Sequence, residues 1–207
     1  LVDDGSTDNT YKNAKSEEVK VIRHAKNKGK GAAIKTGVSH SSGDIILFLD
    51  ADLYSISPKK IMSILQPLEN DEADFVKTSF TRARGRVTEL VVKPLFKVIF
   101  PFIKFNQPLS GQFAIKRDLL KELKIDDKWG VDIQILLQLV KKGVRILEVD
   151  IGKLKHKKQP IENLTIMSEQ VIKTILSELG IIANKHKLVI FDFDKTLIRE
   201  SSIEVVA

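Results

Sequence analysis

Cysteine is absent from all 207 residues, so neither disulfides nor cysteine-ligated zinc can hold this chain together. Such a composition belongs most naturally in a reducing, cytoplasmic compartment. Aromatic residues are sparse at 6%, and the lysines are spread along the chain rather than interleaved with stacking rings, so nucleic acid is not an expected partner. Long apolar runs are also missing. The most membrane-like stretch, residues 90–105, is interrupted by Lys93, Pro94, Lys97, Pro101 and Lys104, and is too short and too charged to span a bilayer. It reads instead as an amphipathic helix at a core edge or at a subunit interface, where a homodimer would cover it. Internal repeats and low-complexity tracts are lacking too.

What is present is ordinary for a globular protein, with 43% hydrophobic and 29% charged residues. The length allows one good core and a remainder too short for a second full domain. A formal net charge of +7 suits anionic ligands, without separating phosphorylated metabolites from a membrane surface. The chain opens on LVDDGSTDNT, which reads as the end of a strand entering a turn, so a preceding segment is expected.

Short β-like runs alternate with helical patterns. Residues 19–22, 44–49, 74–78, 144–149 and 188–193 read as strands. A helix is expected over 30–41, and another from Pro58 with Ser57 as its N-cap, burying Ile61, Ile64, Leu65 and Leu68. A third places Val131, Ile135, Leu136, Leu139 and Val140 on one face and stops at Gly143; a fourth runs from Leu164 through Leu179 to Gly180. This alternation predicts an α/β domain over residues 1–180, a mixed sheet flanked by helices on both faces. Residues 181–187 read as a linker, and 188–207 as the opening of a second α/β domain.

The sharpest local signal is DIILFLDADL, residues 44–53, an apolar strand ending in Asp50 and Asp52. Residues two apart on an extended chain project to one side, so both carboxylates can face a point beyond the strand end, where open α/β sheets bind ligands. Hard oxygens of this kind suit Mg²⁺ or Mn²⁺ bridging to a diphosphate. Taken alone, the motif reads equally as a solvated acidic turn. Upstream, VDDGSTDNT places Asp3 and Asp4 after another apolar strand end, and NKGKGAAIKTG contains Gly29, Lys30 and Gly31 at a helix start. Glycines there permit close backbone approach to a phosphate, and the helix N-terminus and Lys30 add positive potential.

The ordered set VDDGSTD, GKGAA and DADL resembles the GT-A glycosyltransferases, with their Rossmann-like fold. That resemblance implies a nucleotide-sugar donor of the UDP-glucose or GDP-mannose type, gripped by Asp3, Asp4, Gly29, Lys30, Gly31, Asp50 and Ala51. Further along, RARGRVTELVVKPLF, QPLSGQFAIKRDLL, KWGVDIQILLQL and VDIGKLKHKKQPIENL follow in an order that resembles the glucosyl-3-phosphoglycerate synthases, a family of retaining transferases. The resemblance implies that Gly85, Arg86, Val87 and Thr88 bind 3-phosphoglycerate, a guanidinium fork and a hydroxyl being apt for its phosphate. It also implies that His156 joins Asp50 and Asp52 as a metal ligand, and that Asp132 acts near the sugar and acceptor, where the family usually carries Glu. Gln112 stands where the family has an acid, and an amide is no base. Retention by front-face attack tolerates this, because the departing diphosphate can take the proton.

KLVIFDFDKTLI, residues 187–198, resembles the first motif of haloacid-dehalogenase-type phosphatases. The resemblance implies Asp192 as nucleophile, Asp194 as general acid/base and Thr196 as a phosphate contact. The later motifs of that family are not in these residues, so the segment as given is expected to be inactive. Two other readings stay open: a polyprenyl-phosphate glycosyltransferase at the membrane surface, and a catalytically silent binding module.

Overall fold

A computed structural model describes residues 1–16, 18–51, 53, 56–81, 86–153 and 161–182. Apolar residues alternating along the strands give the sheet two greasy faces, and amphipathic helices cover both. In chain order the elements are β1 (Val2–Asp3), α1 (Thr10–Lys15), β2 (Ile22–Arg23), α2 (Lys30–Ser39), β3 (Ile45–Phe48), α3 (Pro58–Glu69) and β4 (Phe75–Thr81). There follow a π-helical turn (Thr88–Val92), α4 (Lys93–Ile99), β5 (Phe113–Lys116), α5 (Arg117–Lys121), α6 (Val131–Lys142), β6 (Ile146–Lys153) and α7 (Ile161–Glu178). The main sheet has the order β3-β5-β4-β6, with β5 antiparallel to both neighbours and β4 parallel to β6. A short parallel pair, β1 with β2, stands apart from it.

The period of two is visible in which core each residue joins. Ile46, Phe75, Phe113 and Ile115 face one side, packed with Ile34 of α2, Leu136 and Leu139 of α6, and Val171 and Ile175 of α7. Val76, Ala114 and Ile151 face the other side, against Ile64 and Leu68 of α3. The Phe113 ring sits between those of Phe48 and Phe75, at centroid distances of 4.6 and 5.4 Å. Helices on both faces of a mixed sheet agree with the expectation from sequence.

The helix ends follow local chemistry. Ser57 Oγ accepts from the Lys60 amide at 3.4 Å and Pro58 takes the first helical position, where its missing N–H costs nothing. α6 stops because Gly143 turns left-handed, at φ 67°.

Other elements depart from the sequence reading. β5 is a four-residue strand buried on both sides, so it shows no alternation to betray it. α1 buries no residue and therefore has no apolar stripe. β2 begins at Ile22 rather than at residue 19. Within 90–105, the π-helical turn leads into α4, which ends at Ile99 with Phe100 as its C-cap. Val92 and Phe96 are buried there, whereas Leu90, Val98 and Phe102 are exposed. The strand read at 188–193 and the linker beyond residue 182 lie outside the described residues. Among the described residues, no helix is long and apolar enough to cross a membrane.

Ile64 is fully buried where α3 meets the sheet. Ile64→Ala should therefore lower the unfolding free energy by about 2–5 kcal/mol in urea denaturation; a loss within error would mean that α3 does not depend on this contact.

Candidate active site

Three chain segments far apart in sequence meet at the carboxyl end of β3. Asp50 stands just beyond that strand, its side chain 40% exposed. Lys30, the first residue of α2, reaches across to it. Lys30 Nζ lies 3.3 Å from Asp50 Oδ1 and donates at 2.7 Å to Asp132 Oδ2, in the first turn of α6. Burial works against this ammonium, yet the Asp132 and Asp50 carboxylates outweigh it and hold Lys30 above its ordinary range. The exposed ring of Trp129 lies beside it, its centroid 5.9 Å from Nζ. Asp132 Oδ1 is buried and hydrogen-bonds to no protein group, which leaves an acceptor within the site.

The loop before β5 closes the site from the other side. Gly111 passes so near that a β-carbon on it would stand 2.5 Å from Lys30 Nζ and 2.6 Å from Asp50 Oδ2. Gln112 Nε2 donates to Asp50 Oδ2 at 2.5 Å. Beneath this loop lies Lys77 of β4, fully buried, whose Nζ donates to the Ser110 carbonyl at 3.0 Å. Burial pushes this lysine down to about 8. A lone lysine inside the apolar strand FVKTSFT was the one sequence signal that could have flagged it.

Other expected site residues take different places. Asp3 turns inward, accepting from the Ser6 amide at 3.1 Å and pairing with Arg23 Nε at 3.1 Å. Asp4 organises the glycine turn: it meets His24 Nδ1 at 2.6 Å and accepts from the amides of Lys28 at 3.0 Å and Gly29 at 2.8 Å. Burial raises its carboxyl, but these bonds together hold it below the usual carboxylate range. The His24 ring is fixed at its far side by Thr36 Oγ1, 2.8 Å away.

The amide of Gly31 donates to the Asp127 carbonyl at 2.9 Å, and a side chain at Gly31 would collide with the Asp126 carbonyl. The amides of Gly29 and Gly31 are thus engaged within the protein, and these glycines let the 126–128 loop dock and bring Asp132 to Lys30. Lys30 itself remains directed at the site.

In the acceptor motif, Arg86 is exposed, whereas Val87 and Thr88 are buried. Val87 joins the hydrophobic core, so its side chain cannot meet a ligand and only its backbone is available for one. Ala51 is exposed next to Asp50. Gly85, Asp52, His156, Asp192, Asp194 and Thr196 lie outside the described residues. Among the described residues, no three His, Asp or Glu side chains gather as a cation site. Asp50 presents a hard, partly exposed carboxylate oxygen beyond the strand end, of the kind that suits Mg²⁺ or Mn²⁺.

The architecture is that of the GT-A-like mixed α/β fold. It superposes on glucosyl-3-phosphoglycerate synthase of Mycobacterium tuberculosis, solved with Mn²⁺, UDP-glucose and phosphoglyceric acid, with a TM-score of 0.81 at 33% identity, over 88% of this chain and 69% of that one. The chain belongs to glycosyl transferase family 2, whose model matches residues 1–127. In sequence it is similar to glucosyl-3-phosphoglycerate synthase of M. tuberculosis, 33% identical over 206 residues, covering 87% of this chain and 64% of that protein. The enzyme of that name from Petrotoga mobilis is 32% identical over 201 residues, covering 86% of this chain and 62% of the relative. The chain thus spans under two thirds of these relatives' lengths.

Lys77 yields a pH-dependent test. Its folded value, about 8, lies below the ordinary lysine value of 10.5, so below pH 8 the charged form is carried at full cost in the folded state. The cost fades as pH rises from 8 towards 10.5, where the unfolded lysine also loses its proton. Lys77→Met should therefore stabilise the fold at pH 7 by up to about 3 kcal/mol, and the gain should shrink by pH 10. Urea denaturation of both proteins at the two pH values checks this; a pH-independent difference would contradict it.

Proposed function

We propose that this chain forms the catalytic part of a retaining hexosyltransferase, moving glucose from a nucleotide-sugar donor, UDP-glucose rather than a GDP-mannose type, to 3-phosphoglycerate. The product, glucosyl-3-phosphoglycerate, would serve glucosylglycerate synthesis. One observation carries the reading. A charged lysine and two carboxylates, Lys30, Asp50 and Asp132, converge at the ligand-binding edge of a family 2 fold whose relatives bear the synthase name.

On this reading Asp50, Asp52 and His156 would hold Mg²⁺ or Mn²⁺, which offsets the charge gathering on the departing diphosphate. Lys30 adds a second positive charge at the same place, kept protonated by its carboxylate partners. Asp4 fixes the turn from which Lys30 projects, and Gly29 and Gly31 set its approach to the 126–128 loop. The free oxygen of Asp132 accepts a hydrogen bond from a sugar or acceptor hydroxyl. Arg86, with the backbone of Gly85 and Val87 and with Thr88, binds the acceptor's phosphate and carboxylate.

No base is needed at position 112. The acceptor oxygen forms the new bond to the sugar carbon as the bond to the diphosphate breaks; the electron pair leaves with the diphosphate, which also takes the acceptor's proton. We place the protein in the cytoplasm on its cysteine-free composition. We further infer that residues 188–207 open a haloacid-dehalogenase-type phosphatase domain, with Asp192 as nucleophile and Asp194 as acid/base. A phosphatase following a transferase would remove the phosphate from its product.

The test is radiolabelled sugar transfer by the full-length protein with UDP-glucose or GDP-mannose, offered 3-phosphoglycerate or a polyprenyl phosphate. Transfer to 3-phosphoglycerate is expected; exclusive transfer to the lipid would overturn the acceptor assignment. Asp52→Ala should abolish turnover with the fold retained by circular dichroism, and wild-type rates in that variant would refute the metal assignment. Arg86→Ala should raise the acceptor's KM far more than the donor's; the reverse pattern would remove the 85–88 segment from the acceptor site.

A further inference from the structure

Resting on that functional reading, the geometry points to Gln112 as a positioning residue that fixes which oxygen of Asp50 is left for the metal ion. An amide nitrogen can only donate and a carboxylate can only accept, so the 2.5 Å contact between Gln112 Nε2 and Asp50 Oδ2 has one possible sense. It occupies one oxygen of Asp50. The other, Oδ1, has among the described residues only the longer contact with Lys30 at 3.3 Å, which an arriving cation can displace. Gln112 is neutral, so it orients Asp50 without cancelling the charge that a cation needs.

The amide is itself held in place at both its oxygen and its nitrogen. Thr78 Oγ1 lies 2.8 Å from Ser110 Oγ, which donates at 3.1 Å to Gln112 Oε1, and Gln112 Nε2 then donates to Asp50. With its carbonyl oxygen taken by Ser110, the side chain cannot flip without placing oxygen against oxygen. The main chain is pinned as well: Gln112 O accepts from the Thr78 amide at 3.2 Å, and Lys77 holds the Ser110 carbonyl. Thr78, Ser110 and Gln112 are all buried, so water does not compete for these bonds. Gly111, between the two donors, carries no β-carbon, which would otherwise stand 2.6 Å from Asp50 Oδ2 and push the carboxylate out of this position. The partly exposed aspartate thus takes its orientation from a buried, neutral side chain on another strand. Where the resemblance leads one to expect an acid acting on substrate at position 112, this chain has an amide acting on a metal-binding carboxylate.

Outer partners of metal ligands typically contribute ten- to a hundredfold in metal affinity. The test is a Mn²⁺ titration followed by electron paramagnetic resonance at fixed UDP, on the full chain and on Gln112→Met, which keeps the volume and removes the donor. The variant should bind Mn²⁺ about tenfold more weakly or worse, while still unfolding cooperatively and keeping its affinity for UDP without metal. If Gln112→Met does not fold, Gln112→Asn, whose amide is one methylene too short to reach, should show the same loss. Variant affinity within twofold of wild type would overturn the positioning role alone. Wild-type protein that binds no Mn²⁺ in the presence of UDP would overturn the functional reading, and this inference with it.

Discussion

One ammonium group ties the site together. Lys30 Nζ touches Asp132 and Asp50, and each of the three side chains comes from a different element: the start of α2, the first turn of α6 and the end of β3. Removing a lysine and an aspartate from water is costly, and an ion pair offsets that cost only with close geometry. Here the lysine has two carboxylates rather than one, and a net charge is left for anionic or cationic ligands to adjust. The arrangement makes α2 and α6 converge on one strand end, which is the edge where α/β sheets bind their ligands.

That convergence depends on what is absent as much as on what is present. Side chains on Gly31 and Gly111 would meet the Asp126 carbonyl and the Lys30–Asp50 pair, respectively. Gly130, just before α6, passes against Thr174 of α7 in the same way. Three close backbone approaches therefore set where Lys30, Asp50 and Asp132 can stand. Asp4 and His24 then fix the turn leading into α2, from behind the site.

Several residues that read as ligand contacts also serve the fold. Asp3 and Asp4, two acids after a strand end, bind Arg23, His24 and backbone amides. Val87, in the middle of an acceptor-like motif, is a core residue. Conversely, Lys77 lies in none of the motifs, yet its bond to the Ser110 carbonyl forms the floor under the loop that faces Asp50. The likeness to glucosyl-3-phosphoglycerate synthases spans 87% of the chain but cannot by itself say which residues act on ligand and which on one another.

The linear chain determined what depends on near neighbours. The apolar run into Asp50, the Ser57–Pro58 start of α3, the Gly143 stop of α6 and the stripe on α7 were all legible, because spacing and caps act within a few residues. β5 and α1 were not, since a short strand buried on both faces and a helix that buries nothing leave no periodic trace. The tertiary structure alone decided that Lys30 meets Asp132, a partner 102 positions away. It alone decided that Gln112 faces an aspartate 62 positions away. Contacts at such separations are fixed by sheet order and loop docking, and no local preference of the residues involved encodes them.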